Sequence, residues 1–271
     1  MSEPTDNNKN NSSSEKGKRI AKPVLIFAAV FVILFCAVYF GIQLYNDYLA
    51  DRPVATEPVS DNSDKSTSEN ASVENPVDFD ALKKMNEDIY AYIKIEDTNV
   101  DYPIVQSPAD DSFYLKHKAE DKSWSASGAI YTELVNNKNF NDRVTVIYGH
   151  NGYGDNYFTP LHKFSNKDFF NSHPYFYIYT PERKLTYQVI SAFKYDDRHI
   201  MNSFNFADDD ELGDFQQFLL NPSSASKNVR AQLDAQLDEN SKIVVLSTCI
   251  TNQKSSRYLV CGVLVKNEKT Y

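Results

Sequence analysis

The feature of this sequence that most constrains the fold is one uncharged apolar run at residues 24–42, VLIFAAVFVILFCAVYFGI. A helix of that length spans roughly 28 Å, which is close to the hydrocarbon thickness of a bilayer. Lysines and an arginine precede the run and aspartates follow it, so the positive-inside rule puts the N-terminus in the cytoplasm. A cleaved signal peptide is the alternative, but no small-residue cleavage site follows the run. We therefore predict a cytoplasmic tail at residues 1–22 and a single transmembrane signal-anchor at residues 23–45.

The segment that follows, residues 46–76, is rich in Pro, Ser, Asn and acidic residues and contains few large apolar residues. Such a segment cannot bury enough apolar surface to offset the entropy lost on ordering, so we predict a flexible linker. Residues 77–271 are then expected to form one exported domain, because their number lies within the usual range for a single domain.

Charge and cysteine content exclude several classes of protein. The formal net charge of −9 at pH 7 argues against nucleic-acid binding, which needs a basic surface. The three cysteines, Cys36, Cys249 and Cys261, are too few and odd in number for a disulfide framework. No Cys/His cluster has the spacing of a zinc site, and no Gly-rich phosphate loop occurs. The residues therefore indicate neither a metal nor another cofactor.

Apolar periodicity in the exported domain predicts a mainly β fold. Strands are predicted at residues 91–95, 100–105, 128–132, 143–148, 175–179, 185–195, 242–246 and 258–265. Helices are predicted at residues 79–89, 110–117, 157–171 and 208–220. About eight short strands with few long helices favour a closed or half-closed β-barrel with helices inserted in its loops.

Two polar residues lie at predicted strand ends in the stretch LSTCITNQKSSR, residues 246–257. Cys249 follows one apolar strand and Arg257 begins the next, so pairing of these strands brings thiol and guanidinium to one end of the sheet. A neighbouring cation favours the reactive thiolate form of cysteine. His150, in the run YGHN, ends another apolar strand and supplies a candidate acid or base.

Each of these residues, taken alone, also has a purely structural interpretation. Cys249 could be a small buried hydrophobe, His150 a hydrogen-bonded loop histidine and Arg257 a solvated surface charge. The position of all three residues at strand ends favours a catalytic role. Cys261 lies inside the apolar run LVCGV and is interpreted as structural. The other histidines, at positions 117, 162, 173 and 199, do not end strands and have weaker claims.

The run LSTC followed eight residues later by Arg, with YGHN about a hundred residues upstream, resembles a sortase. Sortases are membrane-anchored transpeptidases of Gram-positive bacteria. The resemblance covers residues 78–266, and the runs NVDYPIVQ at 99–106 and YL at 114–115 resemble class B members. It implies a closed eight-stranded sortase-type β-barrel with an N-terminal helix. It also implies a helix between the sixth and seventh strands, for which residues 208–220 are the candidate.

The resemblance also implies roles for particular residues. Cys249 would be the nucleophile, His150 the general acid/base, and Arg257 the group that steadies the substrate and the oxyanion. Three further residues match positions that line the sorting-signal groove of class B, namely Leu115, Ser247 and Thr248. The helix at 208–220 and the loop before it are expected to form one groove wall.

Two positions depart from the family pattern. Asp111 stands where an asparagine is familiar, and Ile250 stands where a polar residue is common after the cysteine. Both departures put the substrate preference in doubt more than the chemistry.

The function implied is that of a cysteine transpeptidase of the thiol-peptidase type. It would cleave a C-terminal sorting signal with a Pro-x-Thr core, of the NPxTN or SPxTG type, through a thioacyl-enzyme. The protein would then be transferred to an amine of a peptidoglycan precursor or a pilin. The implied location is the cell membrane, crossed once, with the catalytic domain extracellular. Nucleic acid is not an expected partner.

Three alternatives remain open. An exported L,D-transpeptidase-like enzyme would carry arginine two residues after its cysteine, where this chain has Thr251. A papain-like or NlpC-like cysteine peptidase would place its cysteine before its histidine in the chain. A non-catalytic anchored surface protein would use Cys249 only as a filler, so alkylation of the thiol would leave all of its activities unchanged.

Overall fold

The computed structural model describes residues 72–152, 154–251 and 253–271. The predicted tail, the transmembrane segment and most of the linker lie outside the described residues. No helix among the described residues is both long and apolar enough to cross a membrane.

Nine strands of the described chain form one sheet, and short helices lie in its loops. The strands are β1 Ile89–Lys94, β2 Asp101–Val105, β3 Ile130–Tyr131, β4 Val144–Tyr148, β5 Tyr175–Thr180, β6 Arg183–Asp196, β7 Lys227–Val229, β8 Ile243–Ile250 and β9 Gln253–Lys269. The α-helices are α1 Phe79–Met85, α2 Lys167–Ser172, α3 Ile200–Ser203 and α4 Asp209–Leu220. Two 3₁₀ helices span Phe113–Leu115 and Thr159–Ser165.

The sheet closes into a barrel because the long strand β6 pairs on both of its edges. The order around the barrel is β5-β1-β2-β3-β4-β8-β9-β6, and β6 returns to β5. The first residues of β6 pair with β5, whereas residues 191–193 pair on that same edge with the added strand β7. The predicted mainly β, closed eight-stranded barrel is therefore confirmed.

The centre of the sheet contains a parallel pair, β4 and β8, in the register Val144↔Ile243 to Tyr148↔Ser247. Parallel strands reach the same edge of the sheet with their carboxyl ends, so the residues that follow β4 and those that end β8 meet there. Both strands are apolar on both faces, as is typical of strands covered on both sides. The inward side chains, Ile147 and Leu246 among them, join the barrel core.

Helix α4 packs against β6 on the outer face of the barrel, where Phe218 contacts the rings of Phe193 and Tyr195. Its buried residues Leu212, Phe215 and Leu219 belong to the cluster that includes Val146 and Val245. Asp208 caps the helix by accepting hydrogen bonds from the Asp210 and Glu211 amides, and acidic residues fill its first turn. The helix predicted at 208–220 is present, and its apolar stripe packs on the outer side of the barrel.

Some predicted elements have different limits in the structure. Ile89 continues the helical spacing of α1 but begins β1, because the chain leaves the helix at Asn86. The Asn86 side chain donates hydrogen bonds of 2.7 Å to the Tyr114 hydroxyl and to the Ala119 carbonyl. The helix predicted at 110–117 is reduced to the short 3₁₀ turn Phe113–Leu115. Strand β7 and helix α3 were not predicted.

Candidate active site

The three residues singled out from the sequence lie at one edge of the barrel. Cys249 in β8 is directly opposite Arg257 in β9. The amide of Gly149 donates to the Ser247 carbonyl over 3.1 Å, which continues the β4–β8 register past the end of β4. His150 is therefore level with Cys249 on the neighbouring strand. All three side chains line one groove of about 210 Å³.

The two described cysteines have opposite environments. The Cys249 side chain is exposed at the groove, whereas Cys261 is fully buried. Burial raises the pKa of the Cys261 thiol, so that thiol stays protonated. Because the thiolate is the nucleophilic form, only Cys249 is placed for chemistry.

His150 is oriented by a contact with the last residue of the first 3₁₀ helix. Its Nε2 lies 2.8 Å from the carbonyl oxygen of Leu115. A carbonyl oxygen only accepts, so Nε2 carries the hydrogen and the neutral ring has its lone pair on Nδ1. The next residue, Asn151, donates to the Thr251 hydroxyl over 2.8 Å and joins the segment after β4 to the segment after β8.

The glycine of the YGHN run lets the histidine approach the barrel closely. A Cβ atom at Gly149 would lie 2.5 Å from the Ile130 side chain and 2.6 Å from the Phe158 ring. These distances are well inside van der Waals contact, and both neighbours are fully packed in the core. Any larger residue at this position would displace the backbone that carries His150.

Arg257 is half-buried, and its guanidinium lies along the groove. Its Nη1 donates to the Ser256 carbonyl over 3.1 Å. In the pairing of β6 with β9, Arg257 lies opposite Tyr195, which also lines the groove. A guanidinium presents several donors in a fixed plane, so this position directs donors toward a group held beside Cys249.

The residues predicted to bind substrate also line the groove. Leu115 is 37% exposed there, although it is apolar. Ser247 and Thr248 are buried in its floor, and the Thr248 hydroxyl has no hydrogen-bond partner among the described residues. Asp111 is not part of the lining, and its carboxylate instead accepts from the Leu134 amide over 2.6 Å.

The groove wall predicted from the helix at 208–220 and the loop before it is formed by only part of that segment. Of the segment between β6 and β7, residues 197–200 line the groove, whereas α4 does not. The reason is that the apolar face of α4 packs against β6 on the outside of the barrel.

A polar cluster in the groove wall was missed by sequence reasoning. Glu133, which follows β3, accepts from His199 Nε2 at 2.8 Å and from the Tyr148 hydroxyl at 3.4 Å. Burial raises the pKa of Tyr148, so its hydroxyl remains a donor. No spacing in the sequence links positions 133 and 199, because the contact depends on how two loops cross the groove.

A second histidine was also missed. The Nε2 atom of His162, in the 3₁₀ helix Thr159–Ser165, lies 3.1 Å from the Cys249 carbonyl oxygen. Burial lowers the pKa of His162, although the contact with the carbonyl opposes that effect. In residues 72–152, 154–251 and 253–271, no three His, Cys, Asp or Glu side chains are grouped so that they could hold a metal ion.

The family model of the sortase domain matches residues 93–265. That range is more than half of the sequence, so the chain belongs to the sortase family, whose members are cysteine transpeptidases.

The relatives define the class within the family. Sortase B of Listeria monocytogenes is 28% identical over 186 residues, which cover 68% of this chain and 72% of that protein. Sortase B of Staphylococcus aureus is 26% identical over 254 residues, which cover 92% and 98% of the two chains. The class B assignment predicted from the sequence is therefore confirmed.

Solved structures agree with this assignment. The X-ray structure of Clostridium perfringens sortase B has a TM-score of 0.60 and 30% identity, and the match covers 70% of this chain and 100% of that one. A Streptococcus pyogenes class B sortase involved in pilus biogenesis has a TM-score of 0.57 and 29% identity, with coverage of 70% and 98%.

Proposed function

We propose that this class B sortase cleaves a C-terminal sorting signal with a Pro-x-Thr core and transfers the new carboxyl end to an amine. The observation that carries the proposal is the exposed Cys249 thiol, directly opposite Arg257 and level with His150 in one groove. This geometry supports the roles of nucleophile for Cys249, general acid/base for His150 and oxyanion support for Arg257.

The first half of the reaction forms a thioester. The Cys249 thiolate attacks the backbone carbonyl carbon of the threonine in the signal. Arg257 donates a hydrogen bond to the carbonyl oxygen, which becomes negative. His150, which holds the proton taken from the Cys249 thiol, gives that proton to the departing amine as the peptide bond breaks. The N-terminal part of the substrate is then bound to the enzyme through a carbon–sulfur bond.

The second half of the reaction regenerates the Cys249 thiolate. An incoming amine loses a proton to His150, attacks the thioester carbonyl, and displaces the Cys249 thiolate. A peptidoglycan precursor or a pilin lysine would supply this amine. With water in place of the amine, the same steps give hydrolysis of the thiol-peptidase type.

The groove supports recognition of an extended peptide. Leu115 offers an exposed apolar surface beside His150, which suits the ring of a substrate proline. The Ser247 and Thr248 positions, next to the nucleophile in the groove lining, suit the substrate threonine.

The proposed location is the outer face of the cell membrane of a Gram-positive bacterium. The apolar run at residues 24–42 supports an uncleaved single-pass anchor with a cytoplasmic N-terminus. The catalytic domain would then act on secreted proteins that carry a sorting signal, beside the wall precursors.

The test is a peptide panel offered to the full-length protein. Peptides with NPxTN and SPxTG cores are compared with versions in which alanine replaces the threonine, each with and without an amine acceptor. We expect cleavage of the Thr peptides, an acyl adduct on Cys249 by mass spectrometry, and a transfer product when the amine is present. The Cys249→Ala protein is the control and should form neither adduct nor product.

Other outcomes contradict the proposal. Cleavage that ignores the Pro-x-Thr core would favour a general cysteine peptidase. If alkylation of the thiol left every activity unchanged, Cys249 would be a structural residue.

A further inference from the structure

The 3₁₀ helix Thr159–Ser165 lies directly against the end of β8. Leu161 and Phe164 are fully buried in the barrel core and fix the helix in position. His162, between them, reaches the backbone of Cys249 with its Nε2 atom 3.1 Å from the carbonyl oxygen. Because that oxygen only accepts, the His162 ring is the donor.

The same ring contacts the neighbouring strand. It packs against Tyr258 of β9, with 5.0 Å between the ring centroids and an angle of 46° between the planes. Tyr258 adjoins Arg257 in the chain and is paired with Thr248 across the ladder. His162 therefore touches both of the strands that carry the proposed catalytic groups, without lining the groove itself.

The contact occurs where the ladder loses its regularity. Cys249 pairs with Arg257, but the register of β8 and β9 shifts before the next pair, Ile250 and Gln253. Irregular pairing allows a strand end to bend and re-aim its side chains. A hydrogen bond to the last regular carbonyl, from a helix anchored in the core, opposes such movement.

We propose that His162 is a positioning residue for the Cys249 thiol. By holding the carbonyl of Cys249, it fixes the peptide unit from which the thiol projects toward the substrate carbonyl. The inference rests on the proposed role of Cys249 as nucleophile. His162 does not exchange a proton with the substrate, since that role belongs to His150. A poorly held nucleophile slows bond formation more than peptide binding, so the effect falls on kcat.

Three substitutions separate the hydrogen bond from the packing of the ring. His162→Gln keeps an N–H near the position of Nε2, and His162→Asn has the same amide one methylene shorter. His162→Phe keeps an aromatic ring beside Tyr258 but has no donor. We expect the Asn and Phe variants to lose about tenfold in kcat for peptide cleavage, whereas the Gln variant stays within about twofold, from the usual strength of one hydrogen bond. KM should stay within about twofold in all three.

The matched control is His173→Phe in the same full-length protein. His173 also stacks on an aromatic ring, that of Phe169, and its Nε2 lies 3.0 Å from the Asp97 carboxylate. Neither partner lines the groove. Its kcat should equal that of the unchanged protein, and thermal unfolding of every variant shows whether each one is folded.

The acyl adduct on Cys249 separates this inference from the proposed function. No adduct in the unchanged protein would overturn both. An adduct there, with equal kcat in the Gln, Asn and Phe variants, would overturn only the role of His162. A Phe variant as active as the unchanged protein, with Gln and Asn equally impaired, would assign His162 to ring packing and contradict the hydrogen-bond role.

Discussion

At the scale of single residues, two cysteines of the same ladder have very different neighbours. Cys249 ends β8 at the groove, whereas Cys261 sits in the middle of β9 between Val245 on one side and Ser191 on the other. The first is exposed and the second has no exposed surface. The difference gives each thiol a separate experimental signature.

We predict that Cys261→Ala lowers stability and leaves the chemistry intact. Removing a buried sulfur leaves a small cavity, with a loss of about 1–2 kcal/mol in the free energy of unfolding. Denaturant unfolding measures the loss, and mass spectrometry should still find the acyl adduct on Cys249. The Cys249→Ala protein should show the reverse, normal stability and no adduct. An adduct on Cys261 would reverse the assignment.

Arg257→Lys is expected to lose at least about tenfold in kcat/KM although the charge is retained. A lysine ammonium lacks the planar set of donors that a guanidinium offers to a developing oxyanion. Steady-state peptide cleavage measures the loss. Arg183→Lys is the control, because Arg183 pairs with Lys269 at the opposite end of β6 and β9. Near-normal turnover of the Arg257 variant would mean that only its positive charge matters.

The sequence identified residues at strand ends and missed those carried by loops. Cys249 and His150 each follow an apolar run, so their position at a sheet edge could be predicted from hydrophobic pattern alone. His199 reaches the groove from a loop, and His162 reaches the Cys249 backbone from a 3₁₀ helix. Their positions depend on the tertiary packing of Leu161 and on the crossing of two loops, which no local pattern encodes.

At the scale of elements, the groove depends on a contact between the segments that follow β3 and β6. Glu133 comes from the first segment and His199 from the second, and their side chains meet at 2.8 Å. Arg198, next to His199, is paired with Asp196 over 2.9 Å and packs on the Tyr195 ring. These contacts hold residues 197–200 at the groove wall.

Glu133→Gln should raise KM for sorting peptides by about two- to fivefold and change kcat less, from the usual strength of a hydrogen bond to a carboxylate. The substitution keeps the size of the side chain but weakens the attraction to His199, so the wall is held less firmly. Steady-state kinetics on an NPxTN-type peptide separate the two constants.

The control for this substitution is Glu268→Gln. The Glu268 side chain is 16% exposed, against 15% for Glu133, and it is paired with Lys266 far from the groove. It should leave KM unchanged. A Glu133 variant with normal KM would show that the wall does not need this contact.

Long apolar strands were easier to predict than short or polar elements. The strands of the barrel wall carry enough apolar residues to be recognised, and β8 and β9 were found as nearly continuous runs. Strand β7 has only the three residues KNV, with no period to detect, and it exists because β6 has an unpaired edge beyond β5. The limits of α1 were missed because Asn86 makes its contacts with Tyr114 and Ala119, which are distant in sequence.

At the scale of the whole molecule, the start of the described chain is bound to its last strand. Val73 donates to the Lys269 carbonyl over 2.9 Å and accepts from the Tyr271 amide over 3.1 Å. The Asn75 side chain donates to the Thr180 carbonyl over 2.9 Å. These contacts precede residue 77, where the sequence predicts that the domain begins.

We predict that a shortened protein beginning at Ser72 keeps full peptide cleavage, because the groove lining among the described residues runs from Leu115 to Leu259. A protein that begins at Val77 should also cleave peptide but unfold about 3–8 °C lower, since it loses several backbone hydrogen bonds. Differential scanning calorimetry and peptide cleavage measure the two properties. Loss of cleavage by the Ser72 protein would mean that the preceding residues take part in the groove.

The central position of β8 has a consequence for biosynthesis. Its partner β4 lies about a hundred residues earlier in the chain, and the barrel lacks two of its eight strands until β8 and β9 have been made. At about 5–20 residues per second, translation of this interval takes roughly 5 to 20 seconds. During that time the nascent chain contains His150 but has no groove and no Cys249. A chain that ends before β8 and β9 therefore has neither the nucleophile nor the closed barrel that the proposed reaction needs.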